Sequence, residues 1–138
     1  MIAQKYIPLV ARTCLALIFI QSGIGKIGGF AGVQQQIAGA GIPLAALVAF
    51  FTILFQIAGG ISLILGYKAR IGSILLLVFL IPATLVFHNP IADPSQMIQF
   101  LKNLAIIGGL LMVLAYGAGP VSLDNRVAPM GSARYSEE

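Results

Sequence analysis

Charge is what this sequence has least of. Only 9% of its 138 residues are Asp, Glu, Lys or Arg, against about 25% in an ordinary soluble domain. A soluble monomer needs a polar shell, and these residues cannot supply one. There is one cysteine, Cys14, which excludes an internal disulfide, a CxxC pair and a cysteine-based metal site. There is one histidine, His88, which excludes a multi-histidine metal site and bis-histidine haem ligation within the chain. No metal or haem is therefore expected from this chain alone. The carboxylates are Asp93, Asp124, Glu137 and Glu138, and none falls within a long apolar run. A carboxylate-based proton relay across a membrane has no residues to run on. No GxSxG, P-loop, HExxH or paired-carboxylate pattern occurs, so nothing activates a nucleophile. Electrons in any redox role would have to arrive through a bound cofactor, a quinone or a partner subunit.

What fills the sequence instead is apolar. Hydrophobic residues make up 59% and mean hydropathy is +0.99. The same numbers exclude intrinsic disorder, and the length allows one domain. A membrane span needs about 20 apolar residues at about 1.5 Å each. Four stretches qualify, at residues 6–25, 43–66, 69–88 and 99–117. They predict an all-α fold, an integral membrane four-helix bundle of two helical hairpins over residues 1–120. A polar, poorly ordered cytoplasmic tail is expected over residues 121–138. Residues 26–42 are glycine-rich, contain Gln34-Gln35-Gln36 and are too short to span, so they are expected to form an interfacial or re-entrant element. Only Tyr67-Lys68 separates the second and third spans, which predicts a tight antiparallel turn. Pro90, Asp93 and Pro94 break helix before the fourth span. Lys5 ahead of an apolar run imitates a signal peptide. No A-x-A-like cleavage site follows and Arg12 interrupts the run, so a retained helix is expected.

The net charge of +4 reads as membrane orientation rather than nucleic-acid binding, because the basic residues lie singly beside apolar segments. Lys5, Arg12, Lys68, Arg70, Arg126 and Arg134 fall on one side, Lys26 and Lys102 on the other. The bias places both termini in the cytoplasm, in a bacterial inner membrane, and Tyr6, Tyr67 and Tyr116 fall at the same helix ends.

Lipid gives no hydrophobic drive to helix association, so small residues are the expected packing points. These are Gly59, Gly60, Ser62 and Gly66 in the second span, and Ala105, Gly108 and Gly109 in the fourth. Residues 59–67 and 108–116 also resemble each other as a weak internal repeat. Pro82 removes a hydrogen bond from the Val78 carbonyl and is expected to kink the third span.

Two groups of polar residues are candidates for a buried polar or ligand site. Arg12 lies roughly 9 Å past Tyr6 along a helix. It reaches the interface by snorkelling, or it turns inward to meet Gln56 near the middle of the second span. The second group is Gln21, Ser22, Lys26, His88, Lys102 and Asn103, all near helix ends on the other side. The lysines suit an anion or a quinone oxygen, and neutral His88 both donates and accepts a proton. Interfacial anchoring and helix capping are the plainer roles for each.

The sequence resembles the DoxX family of small bacterial membrane proteins from about Arg12 to Asp124. The pieces are Arg12 with Phe19-Ile20-Gln21-Ser22-Gly23-Ile24-Gly25-Lys26, then Gly41-Ile42-Pro43. Gln56-Ile57-Ala58-Gly59-Gly60 with Leu65-Gly66 and Phe87-His88 follow. Lys102-Asn103-Leu104 with Gly108-Gly109 and Ser122-Leu123-Asp124 complete the set. The resemblance implies a four-helix inner-membrane protein linked to quinol oxidase or thiosulfate:quinone oxidoreductase subunits, or to oxidative- and thiol-stress complexes. It implies a quinone as ligand and a redox protein partner or a homo-oligomer within the bilayer. A non-catalytic scaffold or assembly factor and a small-molecule carrier are the alternatives. Many relatives carry Glu where this chain has Gln56, and Gln cannot titrate, so a proton-coupled role does not transfer to this position.

Overall fold

The computed structural model describes residues 2–127. They form six α-helices and no strand: α1 Ile2–Gly28, α2 Phe30–Gly39, α3 Ala45–Leu65, α4 Ala69–Phe87, α5 Met97–Tyr116 and α6 Leu123–Val127. A 3-10 turn at Pro94–Gln96 leads into α5. Helices α1, α3, α4 and α5 are long and apolar enough to cross a membrane. Each packs against the next, and α1 meets α5 to close the ring. The helices are apolar on their outer faces as well as their inner ones. Leu17, Ile24, Phe50, Leu54, Val78, Leu85 and Met112 are all exposed, which is tolerable only in lipid. The core beneath is built from Ala16, Phe19, Leu63, Leu76, Leu77, Leu80, Leu110 and Val113.

Glycines decide how close the helices come, and adjacent ones serve different neighbours. A Cβ on Gly59 would lie 2.7 Å from Leu76 and 3.1 Å from the Gly72 carbonyl of α4, while one on Gly60 would lie 2.6 Å from Ile20 of α1. A Cβ on Gly109 would lie 2.9 Å from Leu15 of α1. Gly60 and Gly109, equivalent in the weak repeat, thus both face α1. Their partners Gly59 and Gly108 do not match, since nothing lies within 4 Å of a Cβ on Gly108. Gly108 and Ala105 are exposed, so of the expected small pair on α5 only Gly109 faces a neighbour. Pro82 sits inside a continuous α4.

The α3–α4 turn is closed by a Schellman motif: Tyr67 N–H donates to Ser62 O at 3.1 Å and Gly66 N–H to Leu63 O at 3.3 Å, with Gly66 left-handed at φ 66°. Ser62 Oγ adds bonds to the Tyr67 and Lys68 carbonyls at 2.6 and 3.2 Å. Within residues 26–42 the first three end α1, and Phe30–Gly39 form the ten-residue α2, which packs on α3.

Residues 121–127 depart from the poorly ordered tail expected beyond Pro120. They are ordered and fold back over the α3–α4 turn. Asp124 N–H donates to Gly66 O at 2.9 Å. The Asp124 carboxylate accepts from the Lys68 and Ala69 backbone N–H groups at 2.6 and 3.0 Å, capping the first turn of α4, where backbone donors have no helical partner. Ser122 and Asn125 knit this strap internally through Gly119, Pro120 and each other. The remaining tail, with Arg134, Glu137 and Glu138, lies outside the described residues. Asp124→Ala is expected to cost about 1 kcal/mol, the usual worth of such a cap. A melting curve in detergent checks it, and Asp124→Asn should recover part of the loss.

Candidate functional site

The two polar groups seen in the sequence lie at opposite ends of the bundle. At the end where α1 begins and α5 finishes, Arg12 is only 1% exposed. Its Nη1 donates to Leu63 O at 2.7 Å and Ile64 O at 3.4 Å, and its Nη2 to Val121 O at 2.5 Å. The guanidinium therefore ties α1 to the last turn of α3 and to the strap. It does not bond to Gln56, which lies about two helical turns away along α3. Long side chains of a helix point toward its N-terminal end, which carries the guanidinium away from the level of Gln56. Gln56 is 2% exposed, packs beside Gly23 and has a buried Oε1 without a hydrogen-bond partner.

At the far end a cleft of about 680 Å³ opens between α1, α2, α3 and α4. Its walls are mainly aromatic and aliphatic, with Phe51, Phe55, Phe79 and Phe87 prominent. On α3, Val48, Phe51, Thr52 and Phe55 reach it because residues three and four apart share a helix face. On α4, Val78 and Pro82 share a face in the same way. Pro82 has no N–H, so the Val78 carbonyl at this wall lacks its helical donor. The polar groups in the lining are Lys26, Gln36, Thr52, His88 and Gln96. Lys26 Nζ donates to Ser22 Oγ one turn back at 2.5 Å and sits 5.7 Å from the Phe79 ring centroid. That is a cation–π distance. His88 Nδ1 is 2.9 Å from Gln96 Oε1.

Of the expected outer cluster, the cleft gathers Lys26 and His88, with Ser22 holding Lys26. Gln21 and Lys102 are exposed and point away. Asn103 is buried instead between α4 and α5, where its Nδ2 donates to Thr84 Oγ1 at 3.0 Å and Thr84 donates in turn to Leu80 O at 2.7 Å. Ser73 makes a similar cross-link to Leu110 O at 3.0 Å. Sequence reasoning missed Gln36, Thr52 and Gln96. The usable signals were the α3 stripe and the Asp93-Pro94-Ser95 turn that sets Gln96. In that turn Asp93 accepts from Ser95 Oγ at 2.7 Å and Ser95 N–H at 3.0 Å. The Ser95 side-chain bond, then the backbone bond, hold the Asp93 carboxyl below the usual carboxylate range. A lowered carboxyl contributes its stabilisation above that range and loses it as the pH falls through it. The turn that carries Gln96 is therefore intact at neutral pH.

Four apolar spanning helices, sealed at one end by a strap and cleft at the other, define a small multi-pass membrane protein with a ligand-sized recess. The chain belongs to the DoxX family, whose pattern it matches over residues 7–89. It is 34% identical over 116 residues to inner membrane protein YqjF of Escherichia coli (strain K12), covering 84% of this chain and 88% of that one. It is 31% identical over 129 residues to inner membrane protein YphA of the same strain, covering 90% and 92%. A shorter stretch of 82 residues is 35% identical to ER-derived vesicles protein ERV29 of Saccharomyces cerevisiae (strain ATCC 204508 / S288c), covering 56% of this chain and 26% of that one. No solved structure matches it. With its inner-membrane relatives and four spans, this is a multi-pass inner-membrane protein.

Proposed function

We propose that the far-end cleft binds a quinone-type molecule, and that the protein acts as an accessory membrane subunit of a redox system whose partner handles the electrons. The cleft carries this reading. Its volume of about 680 Å³ falls within the usual range for small-molecule sites, about 300–1,000 Å³. Flat aromatic walls suit a planar ring, the lipid-facing helices suit an isoprenoid tail, and Lys26 supplies donors for a ring oxygen. An ammonium has three donors, and Ser22 occupies one. The carrier reading draws no support from the interior, where Phe19, Leu76, Leu77 and Leu80 are buried in one apolar core. The basic residues Lys5, Lys68, Arg70 and Arg126 at the strap end favour that end as cytoplasmic; reporter fusions to the C-terminus read this directly.

The test uses the purified protein in lipid nanodiscs, titrated with a short-tailed benzoquinone. Saturable binding is expected, weakened about tenfold in Lys26→Met, which loses a charged donor but keeps the apolar stem. Non-saturable uptake equal to that of empty nanodiscs, or identical affinity in Lys26→Met, would overturn the reading.

A further inference from the structure

The His88–Gln96 pair carries more than its place in the lining. Gln96 Oε1 is an acceptor only, so the 2.9 Å contact requires the proton on His88 Nδ1. In the neutral ring that leaves Nε2 as a bare acceptor, and among the described residues no hydrogen bond reaches it. The ring stands in the wall of the cleft that also holds Lys26. Lys26, from α1, is the one charged side chain in that lining, and α2, α3 and α4 contribute none. The nearby Asp93 carboxylate accepts from Ser95, and the Gln96 side chain adds a weaker bond to it.

Gln36, Thr52 and Gln96 also line the cleft and can adapt to either redox form of a quinone, whereas Nε2 of the Nδ1–H tautomer only accepts, so it distinguishes the two forms at the oxygen it faces. The oxidised ring presents carbonyl oxygens, which accept but cannot donate. Against Nε2 such an oxygen leaves two lone pairs facing and no bond. The reduced ring presents hydroxyls, which donate to Nε2 at one position and accept from the Lys26 ammonium at another. We infer that His88, set as its Nδ1–H tautomer by Gln96, makes this cleft selective for the hydroquinone over the quinone. The inference rests on the quinone reading above and adds the form of ligand and the positioning residue that selects it. No bond is made or broken: the hydroxyl proton is shared with Nε2 while Gln96 holds the other side of the ring.

His88 is the sole histidine, so histidine-labelled, tag-free protein in nanodiscs gives a one-residue nitrogen spectrum. The Nδ1–H tautomer is expected at neutral pH. A short-tailed benzohydroquinone, kept anaerobic, is expected to shift Nε2 and to bind about tenfold more tightly than the matching benzoquinone, the worth of about one hydrogen bond. Gln96→Leu keeps the ring but frees the tautomer, and should erase most of the preference. His88→Leu should bring the two affinities within about twofold, less than a hydrogen bond is usually worth. An Nε2–H tautomer in the wild type overturns the inference whatever binds. So does an equal affinity for the two forms, which leaves the quinone reading standing. Binding of neither form overturns both. A preference that survives His88→Leu assigns the selectivity elsewhere and overturns the role of His88. If His88→Leu fails to fold, Gln96→Leu decides alone.

Discussion

Replacing Arg12 with methionine is expected to destabilise the protein by about 3 kcal/mol, the scale for losing hydrogen bonds from a buried charged group. Methionine fills the apolar stem's space, so the loss reports the guanidinium. Its two bonded nitrogens reach the Leu63 and Ile64 carbonyls on one side and Val121 on the other. With it gone, Val121 loses a charged donor and the strap loses its anchor to α1. Arg12→Lys should recover less than half of the loss, because a compact ammonium lacks the wide, rigid guanidinium fork that reaches both backbones. Two measurements separate a general effect from a local one. Melting in detergent gives the total loss. Trypsin cleavage after Arg126, an exposed residue on the strap, gives the local one and should accelerate at least about tenfold. An Arg12→Met protein that melts and cleaves like wild type would show that the buried guanidinium holds nothing.

The second large effect belongs to the α3–α4 contact. Gly59→Leu is expected to cost about 3 kcal/mol or prevent folding altogether, at the upper end for overpacking. Its Cβ would lie 2.7 Å from Leu76 Cγ and 3.1 Å from the Gly72 carbonyl. The side chain can turn aside, but the carbonyl is backbone and moves only if α4 moves. The two helices carry Gly59 and Gly72 at their closest approach, and separating them opens the core around Leu76. Gly108→Leu is the matched control. Open space surrounds its Cβ, and leaving glycine behind in a helix should stabilise it by up to about 1 kcal/mol. Melting both variants in the same detergent is the check, and similar shifts for the two would refute the assignment of the contact.

The spanning helices were legible because membrane burial writes a long, continuous apolar signal. Helix α1 began at Ile2 rather than Tyr6 because nothing in the first residues opposes a helix, and apolarity alone does not mark where one starts. The turn at Tyr67-Lys68 was legible because two residues leave one geometry. The partners of Arg12 were not. They are backbone carbonyls, present at every position and therefore silent in a sequence. The same holds for Asp124, whose carboxylate binds N–H groups of residues 55 and 56 positions earlier. Gln21 and Lys102 misled for a different reason. Being near one membrane face fixes a residue's depth, but the helix rotation that chooses cleft or lipid depends on packing. Lys26 and His88 share the depth and also face inward.

The Arg12–Val121 bond spans 109 positions of chain, and that number is also a time. At about 5–20 residues per second of synthesis, Arg12 waits roughly 5–20 s for its last acceptor to be made. It enters the bilayer in the first helix, ahead of every carbonyl that will receive it. The Leu63 and Ile64 carbonyls arrive about halfway through that interval, so the guanidinium is first tied to α3 and only later to the strap. A chain that stops before Val121 has four complete spans and only the α3 half of its arginine anchor.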